Sequence, residues 1–316
     1  MAPELRVMTQ NLYLGADLTP LVRTRTIEEL GDVLESTLRA LADSDAPGRL
    51  AAVARLIRDA DPHVVGLQEV AVWERRGRVL ADFGDLLQAE LGNRYRVAAE
   101  WHPSRPPDSP GRRVVEIGNL ILVHSGMRVE AHAGEYWGKL SIKHPLAGEI
   151  GLPRGWVAVD AKVEGHPFRF INTHLEATLE GLRGAGEVQV AQAAELEAGP
   201  ARSPEPVIVV GDLNSDPHAR GVVPTASRQN LVQAGFMDAW AALHPDDEGL
   251  TWRLDDEIRD PEAELGSRID VVMTRGAIRP LKIERLGLDP SCRTPSGHWP
   301  SDHLALLATL AFDEPA

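Results

Sequence analysis

Apolar residues recur along this chain in two spacings. Ile27, Leu30, Leu34, Leu38 and Leu41 fall three or four positions apart, as do Leu50, Val53, Ala54 and Ile57, a run that stops before Asp61-Pro62. That spacing lines one face of a helix and predicts two helices; a third, rich in Ala and Gln, is expected from Glu187 to Ala198. Around them lie short β-like runs: ELRVMT, HVVGLQ, NLILVH, WVAVDAKV, FRFINTH, VIVVGD, RIDVVMT and HLALLATLAF. Many are too close together for a crossover helix, which favours mixed or antiparallel sheets with helices outside. Residues 101–113, rich in proline, and the acidic stretch 246–264 read as long surface loops, the second placed where it could restrict access to a site. No repeat or domain linker interrupts the pattern, so residues 1–316 are expected to form a single domain.

Polar residues fall at telling places on the apolar runs. Asn11, Glu69, His174, Asp212 and Asn214 follow the carboxyl ends of strand-like segments, while Asp270 and the pair Asp302-His303 open two others. Asp212 and Asn214, two apart on an extended chain, project to the same side. If the last two strands run antiparallel to the rest, one rim gathers Asn11, Glu69, His174, Asp212, Asn214, Asp270, Asp302 and His303. Each has a plainer reading taken alone: an Asx-turn for Asp212 and Asn214, a turn for Asn11, a surface pair with Arg268 or Arg275 for Asp270.

Composition narrows the chemistry. With 47 acidic and 33 basic residues the formal charge is −14, so non-specific duplex binding by counterion release is not the default expectation. A locally positive cleft or bound cations remain compatible with it. Cys292 is the single cysteine, which excludes an intramolecular disulfide and a thiolate metal cluster. No run approaches the roughly 18 apolar residues of a membrane span, and the start lacks a signal-peptide stretch. A soluble chain is expected, cytoplasmic or secreted after loss of a precursor segment.

Four carboxylates, two carboxamides and two imidazoles make a hard, oxygen-rich donor set suited to Mg²⁺ or Mn²⁺. Metal-assisted hydrolysis of a phosphoester needs a Lewis acid, a base for water and donors for developing charge, and all are present. Asp270 and His303 can form an oriented carboxylate–imidazole pair.

The ordered set TQNLY, LQEV, NTHLEA, GDLNSDP, RIDVV and SDHLAL resembles the endonuclease/exonuclease/phosphatase superfamily, which includes deoxyribonucleases, neutral sphingomyelinases, deadenylases and inositol-polyphosphate phosphatases. The resemblance runs from residue 6 to about residue 312 and implies an α/β fold, a four-layer sandwich with two central mixed β-sheets flanked by helices. It implies metal binding by Glu69, Asn11 and Asp302. Asp212 and Asn214 match the pair that contacts the scissile phosphate and positions water. His303 matches a general base or phosphate ligand, with Asp270 as its partner. His174 matches the histidine of the deoxyribonuclease and sphingomyelinase branches, with Glu100 as its candidate support. Apurinic-site endonucleases carry tyrosine in place of His174, and an aspartate where Tyr13 stands; both departures point away from abasic-site repair.

The function expected is divalent-metal-dependent hydrolysis of a phosphodiester by in-line attack of water, on nucleic acid or a nucleotide rather than lipid, by a monomer. Arg105, Arg112, Arg113, Lys139, Lys143 and Arg154 are candidates for a nucleic-acid groove. The alternatives are sphingomyelinase- or phospholipase C-like activity, a phosphomonoesterase, and an inactive binding module. A lipid substrate would want an exposed aromatic hairpin; EYWGKL is short, and Trp137 is expected to be packed.

Overall fold

The apolar run at 207–210 is covered on both faces: Ile208 and Val210 lie between two sheets, while Val207 and Val209 lie under helices. Continuous apolar runs of this kind mark strands buried on both sides. The computed structural model describes residues 3–103, 114–178, 183–218, 225–253, 255 and 257–313.

The first half of the chain runs β1 (Glu4–Asn11), α1 (Thr19–Arg23), α2 (Ile27–Asp43), α3 (Ala46–Ala60), β2 (Val64–Arg75), β3 (Arg78–Asp82), α4 (Phe83–Leu91), β4 (Tyr95–Trp101) and β5 (Val115–His124). It continues with β6 (Val129–Glu135), β7 (Leu140–His144), β8 (Gly148–Leu152), β9 (Gly155–Val163), β10 (His166–His174), α5 (Ala185–Ala198) and β11 (Val207–Asp212). The last third holds α6 (Ser227–Gln233), β12 (Met237–Asp238), α7 (Ala239–Leu243), β13 (Trp252–Arg253), β14 (Leu265–Ser267), β15 (Asp270–Arg275), β16 (Ile278–Leu286) and β17 (Ala305–Phe312). The three helices expected from spacing are α2, α3 and α5.

One sheet orders as β16-β17-β1-β2-β5-β4 with β3 on β2; the other orders as β12-β15-β11-β10-β9-β6. Both are mixed. β1 runs parallel to β2 and β10 to β11, whereas β17 is antiparallel to β1 and β15 to β11. Those two reversals bring the openings of the last strands to the rim where the earlier strands end. Three apolar layers fill the sandwich. Leu38, Leu50, Val53 and Phe83 of α2, α3 and α4 cover the first sheet; Val7, Phe170, Ile208 and Leu306 fill the space between sheets; Leu196 of α5 and Leu231 of α6 cover the second. Each fully buried side chain of this size contributes about 1.5–3 kcal/mol. The architecture is therefore helices, sheet, sheet, helices.

A polar clamp joins the sheets just beneath the rim. β2 bulges between Leu67 and Val70, which interrupts its ladder with β5 and turns Glu69 into a left-handed conformation, φ 53°. Asn172 of β10 reaches across, donating Nδ2 to the carbonyls of Leu67 (2.8 Å) and Leu120 (3.1 Å). Gln68 Nε2 donates in turn to Asn172 Oδ1 at 2.5 Å and to Thr9 Oγ1 at 3.0 Å. Gly66 permits this approach, because a Cβ there would lie 2.9 Å from the Asn172 amide carbon. Replacing Asn172 by Leu removes both of these bonds, and the Gln68 bond with them, from a dry interior. A loss of about 2–4 kcal/mol in urea unfolding is expected for Asn172→Leu.

Candidate active site

The second sheet supplies half of the rim in one row. His174, Asp212 and Asp270 are successive Cα partners across β10, β11 and β15. Gly211 is required before Asp212: its φ is 133°, and a Cβ there would overlap the Thr173 carbonyl. Asp212 Oδ1 accepts from the Asn214 backbone N–H at 2.8 Å, so the pair does make an Asx-turn, and that turn holds the carboxamide at φ 48°. Asn214 Nδ2 donates to the Leu175 carbonyl (3.1 Å) and meets His174 Nε2 at 3.0 Å. A carbonyl partner fixes the amide orientation, so His174 Nε2 is the acceptor and the ring proton lies on Nδ1. That Nδ1 is buried and has no hydrogen-bond partner among the described residues.

The first sheet supplies the other half. Asn11 ends β1 and donates Nδ2 to Asp212 Oδ2 at 3.1 Å, across the gap between sheets. It also bonds the Glu69 carboxylate, whose Oε2 accepts from the Leu14 N–H at 2.7 Å. The loop before β17 delivers Asp302 and His303. Ser301 Oγ anchors it, donating to the Asn11 carbonyl (2.7 Å) and receiving the His303 N–H (3.1 Å). His303 Nδ1 bonds Asp270 Oδ2 at 2.9 Å, and its Nε2 lies 3.8 Å from Asp212 Oδ2 and 4.0 Å from Asp302 Oδ1. The eight rim residues read from the sequence thus meet, with Asp212 at their centre.

Their charges are strongly coupled. Burial, and then the neighbouring Asp270 carboxylate, push Asp212 up to about 7 against the pull of His303. Burial alone would lower His303, but Asp270, Asp302 and Asp212 hold it well above its ordinary value. Burial lowers His174 well below the imidazole range, with Arg154 and His303 adding repulsion. Near neutrality the site therefore pairs one cationic and one neutral imidazole around a carboxyl drawn toward its neutral form.

Several participants carry no signature in the sequence pattern. Arg49 of α3 is fully buried and donates to backbone carbonyls: Nε to Ser44 (2.8 Å), Nη1 to Leu12 (2.9 Å) and Pro300 (3.2 Å), and Nη2 to Tyr13 (3.2 Å). It ties the loop after β1 to the loop before Asp302. Burial draws its pKa down to about 10, so it stays charged beneath Glu69 and Asp302. Trp252 Nε1 donates to Asp302 Oδ2 at 3.3 Å, and Trp252 bridges His303. Part of the acidic stretch read as an exposed loop is therefore built into the site: Thr251 is buried, and β13 pairs with β14.

The other expectations divide. Arg154 does face the site, bonded to buried Glu176 at 3.1 Å; burial opposes its charge, and the Glu176 carboxylate more than offsets that. Lys139 and Lys143 are exposed outside the cluster, Lys139 paired with Glu135. Arg105, Arg112 and Arg113 lie outside the described residues. Glu100 stands exposed on β4, on the face opposite buried Ala99, and makes no bond to the unpartnered His174 Nδ1. Trp137, expected to be packed, is 91% exposed, because Tyr136 takes the buried place beside it.

A divalent metal fits one part of this rim better than another. Asp212, Asp270 and His303 bring ligand atoms within 4.8 Å of one another, but Asp270 and His303 already bond each other. Glu69 and Asp302 face each other as like charges, and burial followed by Asp302 raises the Glu69 pKa. With the Asn11 carboxamide they form an oxygen set that a hard cation would neutralise.

Arg49→Met would remove the guanidinium bonds to four carbonyls. A loss of about 3 kcal/mol or more in urea unfolding is expected.

Comparison with known proteins agrees with this geometry. The model of the Endonuclease/Exonuclease/phosphatase family matches residues 8–303. A search of curated proteins finds no significant match. Among solved structures, truncated Caenorhabditis elegans TDP2 is 22% identical, with 98% of this chain and 97% of that one covered and a TM-score of 0.59. A Bacteroides thetaiotaomicron protein of the family is 18% identical over 99% and 100% of the two chains, with a TM-score of 0.62. D. rerio TDP2 in complex with a single-strand DNA product is 16% identical over 97% and 98%, with a TM-score of 0.57. At these identities the likeness is one of fold. The family match over residues 8–303, a range that includes all eight rim residues, places the protein in the Endonuclease/Exonuclease/phosphatase family.

Proposed function

We propose that this protein is a divalent-metal-dependent phosphodiesterase that cleaves nucleic acid or a nucleotide-like diester by direct attack of water. The observation that carries the reading is the buried Asp212 carboxyl, oriented by Asn11 and Asn214 and flanked by His174 at 3.4 Å and His303 at 3.8 Å. A carboxyl pushed to about 7 is matched to taking a proton from water at neutral pH. His303, held cationic by Asp270, stabilises negative charge on the phosphoryl oxygens. Arg154 presents a second cation on the His174 side, and the Asn214 amide orients the neutral His174 ring. Glu69, Asn11 and Asp302 would hold Mg²⁺ or Mn²⁺, which supplies Lewis acidity to a phosphoryl oxygen. Support for nucleic acid comes from the D. rerio TDP2 of similar fold, which was crystallised with a single-strand DNA product.

The direct test is hydrolysis of plasmid, single-stranded DNA and RNA, sphingomyelin, inositol phosphates and bis-p-nitrophenyl phosphate in Mg²⁺ and in Mn²⁺, with EDTA and Asp212→Asn controls. Metal-dependent cleavage of a nucleic acid that Asp212→Asn abolishes is expected; turnover that survives EDTA sinks the proposal. Glu69→Gln should raise the Mg²⁺ concentration for half-maximal activity, and an unchanged requirement would remove Glu69 from the ligand set. Stability should move oppositely to activity at Asp212. That carboxyl ionises near pH 4 when unfolded (roughly,) but at about 7 when folded. Between these values the folded state holds the extra proton, so stability falls as pH rises and the full penalty stands above pH 7. Asp212→Asn should therefore stabilise the metal-free protein by about 1–3 kcal/mol at pH 8, the lost Asn11 bond offsetting the rest, and by much less at pH 4.5 in urea titrations.

A further inference from the structure

Trp137 is an anomaly on this surface. An indole that is 91% exposed leaves its large apolar face in water, and a single aromatic in that position has no packing role. Its backbone is nevertheless tightly held. Glu195 of α5 accepts from the Trp137 N–H at 2.7 Å and from the Gly138 N–H at 2.8 Å, one carboxylate oxygen to each. Gln192 donates to the Gly138 carbonyl at 2.9 Å, and Glu135 and Lys139 pair across the turn. Ordering has been invested in a segment whose central side chain stands in solvent.

The segment is also tied to the reaction centre. Tyr136 lies buried beneath it, its hydroxyl 2.8 Å from Thr173 Oγ1, one residue before His174. The Tyr136 N–H donates to the carbonyl of Arg154, the cation on the His174 side. α5 connects the two places along one face: Gln189 donates to the Asn214 and Glu176 carbonyls, Gln192 accepts from the Glu176 N–H, and Glu195 holds Trp137. Six residues of helix span about 9 Å. The turn that carries the indole is thus tied, through Tyr136 and along α5, to residues that flank His174 and Asn214.

We propose that Trp137 is a stacking platform for an unpaired base flanking the scissile phosphodiester, so that the substrate is single-stranded or locally unpaired nucleic acid. This rests on the phosphodiesterase reading above. Three features favour a base over other occupants. The cations Lys139, Lys143 and Arg154 accompany the indole on the same stretch of chain, the combination that single-strand binders use. A net charge of −14 makes extended duplex contact costly, whereas stacking depends little on net charge. Glu135, Gly138 and Lys139 surround the indole in sequence, and this polar turn is not the apolar patch a membrane surface would want.

The test compares a fluorescein-labelled thymidine octamer with an octamer of abasic linkers, by anisotropy in Mg²⁺, on full-length Asp212→Asn protein that binds without cleaving. The base-bearing octamer should bind more tightly. Adding Trp137→Ala should weaken it about 5- to 150-fold and abolish the difference between octamers, while Trp137→Phe retains most of it. Equal binding of the octamers, or no effect of Trp137→Ala on a bound octamer, overturns the stacking role and leaves the phosphodiesterase reading standing. Absence of any octamer binding, with bis-p-nitrophenyl phosphate still hydrolysed by the wild type, removes nucleic acid as the substrate and the platform with it. Vesicle co-sedimentation that Trp137→Ala abolishes, with octamer binding unmoved, overturns the proposal in favour of a lipid surface.

Discussion

Asp212 and Asp270 stand opposite each other on neighbouring antiparallel strands, both almost wholly buried. Like charges directly across a ladder repel, and a dry interior magnifies the repulsion. The remaining groups respond to that conflict. His303 bonds Asp270 and lies near Asp212 as a cation, Asn11 and Asn214 direct donors at Asp212, and Asp212 itself moves toward its neutral form. His303 can act this way only if the loop before β17 is held against both sheets. Ser301 holds it from within, Gln10 donates to the His303 carbonyl, and Arg49 grips Pro300 from below. The site is assembled around a pair of carboxylates that the backbone pairing forces together.

A second consequence is the division of labour between the imidazoles. The same burial that strips His174 of charge would strip His303, were it not for Asp270. His174 sits on the same Cα row as the two carboxylates, yet its neighbours at Nε2 include a carboxamide donor, and Arg154 repels a proton there. Two identical side chains thus enter in different protonation states because one has a carboxylate at Nδ1 and the other has none.

Much of this was legible in the sequence because strand ends carry their function in consecutive letters. VIVVGDLN shows a strand buried on both faces, the glycine that close strand approach demands, and two polar groups on one side. The convergence of Asp270 and Asp302-His303 with the others followed from one topological condition, reversal of the last strands, and β15 and β17 meet it. What stayed hidden depends on distant partners. Arg49 occupies a position on the apolar face of α3, where its spacing says only helix; its partners are backbone carbonyls of other loops, which no side-chain pattern records. Trp252 sits in a stretch whose acidic residues read as solvated, although one short strand of it is stitched to His303. Glu100 and Trp137 are matters of which side of a bend faces inward, and Ala99 and Tyr136 take the inner places.

The eight rim groups divide evenly between the sheets: Asn11, Glu69, Asp302 and His303 belong to one, and His174, Asp212, Asn214 and Asp270 to the other. Among the described residues no strand of one large sheet pairs with a strand of the other, and short β13 links the halves by bridging His303 and pairing with β14. The separation of the two halves is set by the thickness of the side chains between them, Val7, Phe170, Ile208 and Leu306 among them. The middle layer of the sandwich is therefore a spacer whose tolerance is the tolerance of the chemistry. A methylene added or removed there adjusts the gap between the Glu69–Asp302 side and the His174–Asp212 side without touching either.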